Sequence, residues 1–191
     1  METLLSILVG IGLSAACGFR IFVPLLIAGV AARSGHLSLA KDFAWMGSDA
    51  ALIAFSLATA LEVAAYYVPW LDHLLDTIAT PTAIVAGTLV TASLATDLSP
   101  FFRWTLAVIA GGGVAGLVQG TTVLTRGFST ATSAGITNPI VATAELGGSL
   151  LTSFLALVAP ALVGLALCGF VGAGAWLYSR RRRTAVSPPT A

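Results

Sequence analysis

Apolar positions in this chain gather into runs instead of alternating with polar ones. Leu4–Ala32, Ala50–Tyr67, Thr82–Thr96, Phe101–Leu124 and Ile140–Tyr178 carry almost no charge. About 20 such residues cross the hydrocarbon core of a bilayer as a helix. The first run is too long for one simple span and is interrupted at Gly18-Phe19-Arg20 and at Pro24. The last would measure roughly 58 Å as a single helix at 1.5 Å per residue, so it must bend or break. Gly147-Gly148 and Pro160 are the expected places. Gly18, Pro24, Gly147 and Pro160 are therefore the hinge candidates.

The starts of the runs carry helix-capping chemistry. Ser48-Asp49 precedes Ala50, Thr80-Pro81 precedes Thr82, Ser99-Pro100 precedes Phe101 and Asn138-Pro139 precedes Ile140. Each pairs an oxygen acceptor with proline at the first helical position or with an acidic first turn, which satisfies or removes free N–H groups. Segment 70–80 has Leu71, Leu74, Leu75 and Ile78 at helical spacing among polar residues, and is expected to lie along the membrane interface. The polar stretches 33–49 and 126–138 read as loops. The resulting expectation is an all-α, polytopic transmembrane bundle of five to six spans, residues 1–179, with interrupted first and last hydrophobic regions.

Composition agrees with that pattern: 57% of the residues are hydrophobic and 9% are charged. The net charge of +1 conceals an asymmetry, because four of the nine cations form Arg180–Arg183 directly after the last run. Beside a span, such a cluster sets orientation and is not a nucleic-acid arm; it places the C-terminus in the cytoplasm, with 180–191 a basic, disordered tail. With five spans, loop 33–49 is then inside and 125–138 outside, carrying the single Arg126. Cys17 and Cys168 lie in apolar runs without a CxxC and read as packing residues. Ser14-Ala15-Ala16-Cys17 resembles a lipoprotein processing site, yet a basic n-region is missing and the run continues past the cysteine, so a retained span is expected.

Several local patterns, in order over about residues 10–160, resemble the bacterial membrane family catalogued as domain of unknown function 4126. They are Gly18-Phe19-Arg20 with Phe22-Val23-Pro24-Leu25, then Pro69-Trp70-Leu71-Asp72 with Asp76, then Asp97 with Pro100. Gly111-Gly112-Gly113 and Gly135-Ile136-Thr137-Asn138-Pro139 with Glu145 follow. The resemblance implies an integral protein of the bacterial inner membrane and supplies no established activity. The chain departs from the family where Thr-His-Gly is usual and Gln119-Gly120-Thr121 stands, and where Leu146 replaces a common Asp. A proton relay through those groups has no basis here.

Ionisable residues inside apolar runs are costly there, so each needs a partner or a function. Arg20 lies 16 residues into the first run, Glu62 mid-run, and Glu145 two turns beyond Asn138-Pro139. Arg20 reads either as an anion or headgroup site or as an ion-pair partner of Glu62 or Glu145. The remaining carboxylate is then free for a cation or proton. Asn138 is expected to cap the helix that begins at Pro139. If that start lies at membrane depth, its N–H groups face a substrate as in the interrupted helices of transporters. Glycines 111, 112, 113, 116 and 120 suit close helix packing, within the chain or between copies.

His36 and His73 are isolated, and no nucleophile or metal cluster is present among the runs. Neither a catalytic residue, a metal nor a cofactor is expected. The expected function is movement of a small solute, ion or lipid headgroup past Arg20, Glu62, Asn138 and Glu145. The alternative is a non-transporting scaffold, bound to lipid or a partner, whose buried charges fix helix packing. Membrane lipids, a small-molecule or ion substrate and a second copy of the chain are the expected partners, with no nucleic acid.

Overall fold

Backbone N–H and C=O groups in this chain are paired almost entirely within helices. The structure, a computed structural model, describes residues 2–185. Among these it contains α1 (Glu2–Cys17), α2 (Phe22–Arg33), a 3₁₀ turn at Lys41–Gly47, α3 (Asp49–Ala65) and α4 (Pro69–Leu94). They are followed by α5 (Pro100–Leu106), a π-helical segment Ala107–Gly112, α6 (Gly113–Ser133), α7 (Asn138–Val158) and α8 (Pro160–Ala185), with no strand. The fold is all-α. α1 lies centrally, against α2, α4, α6, α7 and α8. Leu13, Ala16 and Cys17 on it are fully buried.

Caps place most of the starts. Ser48 accepts from the Ala51 N–H at 3.3 Å, and Pro69, Pro100 and Pro139 stand in the first turns of α4, α5 and α7. Pro81 does not begin a helix: it lies inside α4, and segment 70–80 forms the first turns of that helix, not a separate interfacial element. Proline removes its own donation to the Thr77 carbonyl. The turn nevertheless holds, with Thr82 Oγ1 donating to the Ile78 carbonyl at 2.7 Å.

The helix expected to end at Leu124 runs on to Ser133, so Pro100–Ser133 forms a 34-residue unit and the loop shrinks to 134–137. The Ser/Thr content that reads as loop is satisfied inside the helix. Thr121, Thr125, Thr132 and Ser133 donate to the carbonyls of Leu117, Thr121, Phe128 and Ser129, one turn back. α7 likewise passes through Gly147 and Gly148 without interruption; the break comes at Ala159, before Pro160. Pro24 does not break the chain either. It sits in the first turn of α2, where its missing N–H has no intrahelical partner to lose. The interruption is confined to Gly18–Ile21. α8 continues through Arg180 to Ala185, past the boundary expected at 179; residues 186–191 of the expected tail lie outside the described residues.

Among the described residues, three helices are long and apolar enough to cross a membrane: Thr77–Leu94, Pro100–Ser133 and Asn138–Val158. A fourth arises if Lys41–Gly47 and Asp49–Ala65, bent by 63°, count as one span. α1, α2 and Pro160–Gly174 are shorter apolar helices. The arrangement of side chains is inside-out. On α6, Leu124 is 76% exposed and Phe128 72%, whereas Gln119, Thr122, Arg126 and Ser129 are buried. On α7, Leu151 and Phe154 face out while Asn138, Glu145, Ser149 and Ser153 face in. Apolar surface on this scale is compatible with lipid as the outer solvent.

Glycine sets the close approaches. A Cβ on Gly18 would lie 2.5 Å from Val118 Cβ and 2.7 Å from the Ala115 carbonyl, so only glycine lets the α1–α2 break rest on α6. A Cβ on Gly111 would lie 2.6 Å from the Gly87 carbonyl, which is how the π segment lies flush on α4. Gly112 and Gly116 meet Ile84 in the same seam, whereas Gly113 and Gly120 face open space.

Candidate functional site

The α1–α2 break leaves helix-terminal backbone groups inside the bundle, and buried groups of that kind need partners. Side chains from two other helices supply them. Ser149 Oγ on α7 donates to the Ala16 carbonyl at 3.1 Å. Glu62 on α3 accepts from both N–H groups that open α2, with Oε1 2.8 Å from Ile21 N and Oε2 3.0 Å from Phe22 N. A carboxylate there also complements the positive end of the helix dipole. Glu62 therefore acts as a cap supplied in trans, where Ile21 has no side chain able to provide one.

Arg20, held in the break itself, is 1% exposed. Its Nη2 donates to the Ala142 carbonyl at 2.8 Å and lies 3.6 Å from Glu145 Oε2. Its Nε and Nη1 are buried without a hydrogen-bond partner. Glu145 is the carboxylate within ion-pair reach of Arg20, and it also holds Arg126: Nε lies 2.9 and 3.1 Å from the two carboxylate oxygens, and Nη2 donates to Oε2. Both guanidiniums stack on one ring, with Arg20 Cζ 3.9 Å and Arg126 Cζ 4.1 Å from the centroid of Tyr66. Cation–π contact of this kind gains strength when desolvated.

Asn138 is buried at the other end of the same assembly. It is the first residue of α7, with Thr137 in the cap position, so it does not stand ahead of a helix starting at Pro139. Its Oδ1 accepts from Ser129 Oγ at 2.8 Å and its Nδ2 donates to Thr130 Oγ1 at 3.2 Å, tying α7 to α6. Ala142, whose carbonyl takes Arg20, is four residues on, about 6 Å along the axis. The break and the first turns of α7 thus meet. Gly18 and Arg20 are brought together with Glu145; Pro24, Gly147 and Pro160 are not part of this centre.

Two cavities flank it. One of about 360 Å³ lies between α2, α3 and α4 and is lined by Glu62 and Tyr66 among apolar side chains. One of about 190 Å³ is lined by Phe19, Thr121, Thr122, Thr125, Val141, Ala144 and Glu145. The Tyr66 ring lines the larger of these with Glu62 and carries the two guanidiniums that meet Glu145.

Two members escape a reading of the sequence. Arg126 falls in a stretch that looks like an outer loop, and Tyr66 in an apolar run. A signal for Arg126 does exist: Gln119, Thr122, Arg126 and Ser129 follow helical spacing, a polar stripe that marks an inward face.

No curated protein and no solved structure matches the chain. The model of the family described as Domain of unknown function (DUF4126) matches residues 7–180, nearly the whole chain, and the protein belongs to that family.

Proposed function

We propose that the protein is a multi-pass protein of a bacterial inner membrane, its C-terminus cytoplasmic, that moves a small solute, ion or lipid headgroup past the polar centre at Arg20. One observation carries this reading: a fully buried guanidinium keeps two nitrogens without partners while its neighbours Glu62, Tyr66 and Glu145 open onto cavities. Burying donor groups unpaired costs roughly 1–3 kcal/mol each, more when charged, and a ligand that accepts from them recovers it. A broken helix at membrane depth beside the first turns of another is also the arrangement in which transporters hold polar substrates. Arg20 binds, Glu145 lines the adjoining cavity, Asn138 fixes the start of α7 against α6, and Glu62 holds the break open; the proposal includes no catalytic step.

The test is flux in proteoliposomes. Wild-type protein should carry at least one of labelled chloride, acetate, inorganic phosphate or a headgroup-labelled phospholipid faster than empty vesicles, saturably, and Arg20→Gln should remove that flux from folded protein. No acceleration for any of them, or equal flux in the variant, overturns transport. The second reading, a scaffold, is favoured by the complete joints at Glu62 and at Arg126–Glu145, which serve packing whether or not anything moves.

A further inference from the structure

α1 and α2 are each too short to cross a bilayer. Their 16 and 12 residues measure about 24 and 18 Å at 1.5 Å per residue, against roughly 30 Å of hydrocarbon. Their outer ends meet at one face of the bundle. Thr3 Oγ1 donates to Asp97 Oδ2 at 2.9 Å, just past the end of α4. α1 then runs inward antiparallel to α4, with Gly10 against Thr91 and Ser14 Oγ donating to the Gly87 carbonyl at 2.6 Å. α2 returns along α3, from the Glu62 contacts at Ile21 and Phe22 to Arg33, which pairs with Asp49 at 2.6 Å. The following turn closes on the same face: Ala40 N donates to the Ser93 carbonyl at 2.7 Å, and Arg103 Nη1 to Asp42 Oδ2 at 3.3 Å. The chain therefore enters and leaves on one side, with Gly18–Ile21 as the tip. Non-helical backbone at membrane depth has to be enclosed by protein, as the Ser149 and Glu62 contacts enclose this tip.

Charge identifies the face. α7 and α8 pass along α1 toward its outer end, with Ser149 at Ala16, Ala156 at Gly12 and Gly164 at Leu8, so α8 leads out on that face too. Arg33, Lys41, Arg103 and the Arg180 end of α8 gather there, which marks a cytoplasmic side. We infer that α1–α2 is a re-entrant hairpin inserted from the cytoplasm, which carries Arg20 to the polar centre at its tip and closes the centre on that side. The run Leu4–Ala32 is then two half-depth helices, not a span. The hairpin is packed tightly enough to serve as a plug. Leu13, Ser14 and Cys17 are fully buried, and a Cβ on Gly29 would lie 2.7 Å from the Met46 carbonyl. None of this depends on whether a solute moves past Arg20, so the hairpin stands or falls apart from the transport reading.

The sidedness of single cysteines tests the hairpin in the full chain carrying Cys168→Ser, where the remaining Cys17 is fully buried. In spheroplasts, Thr3→Cys and His36→Cys should resist a membrane-impermeant maleimide and label at least tenfold more after permeabilisation. Ile136→Cys, exposed in the α6–α7 turn, should label without it. Ser14→Cys should stay unlabelled under both conditions. A cytoplasm-active reporter fused ahead of Met1 reads the same side without any internal substitution and should be bright. Labelling of positions 3 and 36 from opposite sides overturns the hairpin and makes α1–α2 one broken span. Labelling of both in intact spheroplasts, or a silent N-terminal reporter, overturns insertion from the cytoplasm. Labelling of Ser14→Cys after permeabilisation overturns the closure.

Discussion

Arg126→Gln tests whether the ion pair at the centre holds the bundle together. Glu145 loses contacts to both carboxylate oxygens from a guanidinium that, like itself, is almost fully buried. Removing one partner of a buried pair costs about 3–5 kcal/mol, because the remaining charge stays desolvated. Arg20 Nη2, 3.6 Å from Oε2, still faces the carboxylate, so the lower end of that range applies. At 2–4 °C per kcal/mol for a chain of this length, a loss of about 3 kcal/mol lowers the midpoint of thermal unfolding by roughly 6–12 °C. Adding Glu145→Gln removes that anion and leaves two neutral amides, with Arg20 then losing the carboxylate at 3.6 Å. The double variant should then be more stable than the sum of the single losses implies by about 1.5–2 kcal/mol, within the usual range for residues in contact. Unfolding of detergent-solubilised wild type, both single variants and the double variant completes the cycle. Losses that add to within about 0.5 kcal/mol would show the pair to be energetically independent and refute the reasoning.

Gly18→Ala should destabilise by about 1–3 kcal/mol through overpacking against α6, and Val118→Ala should restore part of the loss; additive losses in the double variant would place the clash elsewhere. Glu62→Ala leaves the Ile21 and Phe22 amides unsatisfied at roughly 1–3 kcal/mol each. Their hydrogen exchange should speed up at least tenfold, with Glu62→Gln, which keeps one acceptor oxygen, in between; unchanged protection would mean that other groups cap α2. A reporter active only in the cytoplasm, fused after Arg183, should be bright and a periplasm-active one silent, and the reverse pattern would invert the proposed orientation.

Long uncharged runs determine the helices, because in an apolar solvent the backbone can satisfy itself in no other local way. Proline and cap residues place the starts of α3, α5 and α7 for the same local reason. The importance of Arg20, Glu62 and Glu145 is also legible in the chain, since an ionisable group in an apolar run has few inexpensive fates. What the sequence leaves open depends on which helix faces which. Hydroxyls of Thr121, Thr125, Thr132 and Ser133 could serve a loop or bond back within a helix; packing of α6 against α7 decides for the helix and so turns Arg126 inward. Pro81 reads locally as a start, and only the surrounding bundle holds the turn across it. Glu62 has no sequence neighbour that explains it: its partners are backbone amides 40 and 41 positions away. Tyr66 becomes a platform for two guanidiniums only because α1, α3, α6 and α7 converge there. The polar stripe on α6 marks an inward face, but partnership is a property of distant segments brought together, and no local pattern names the partner.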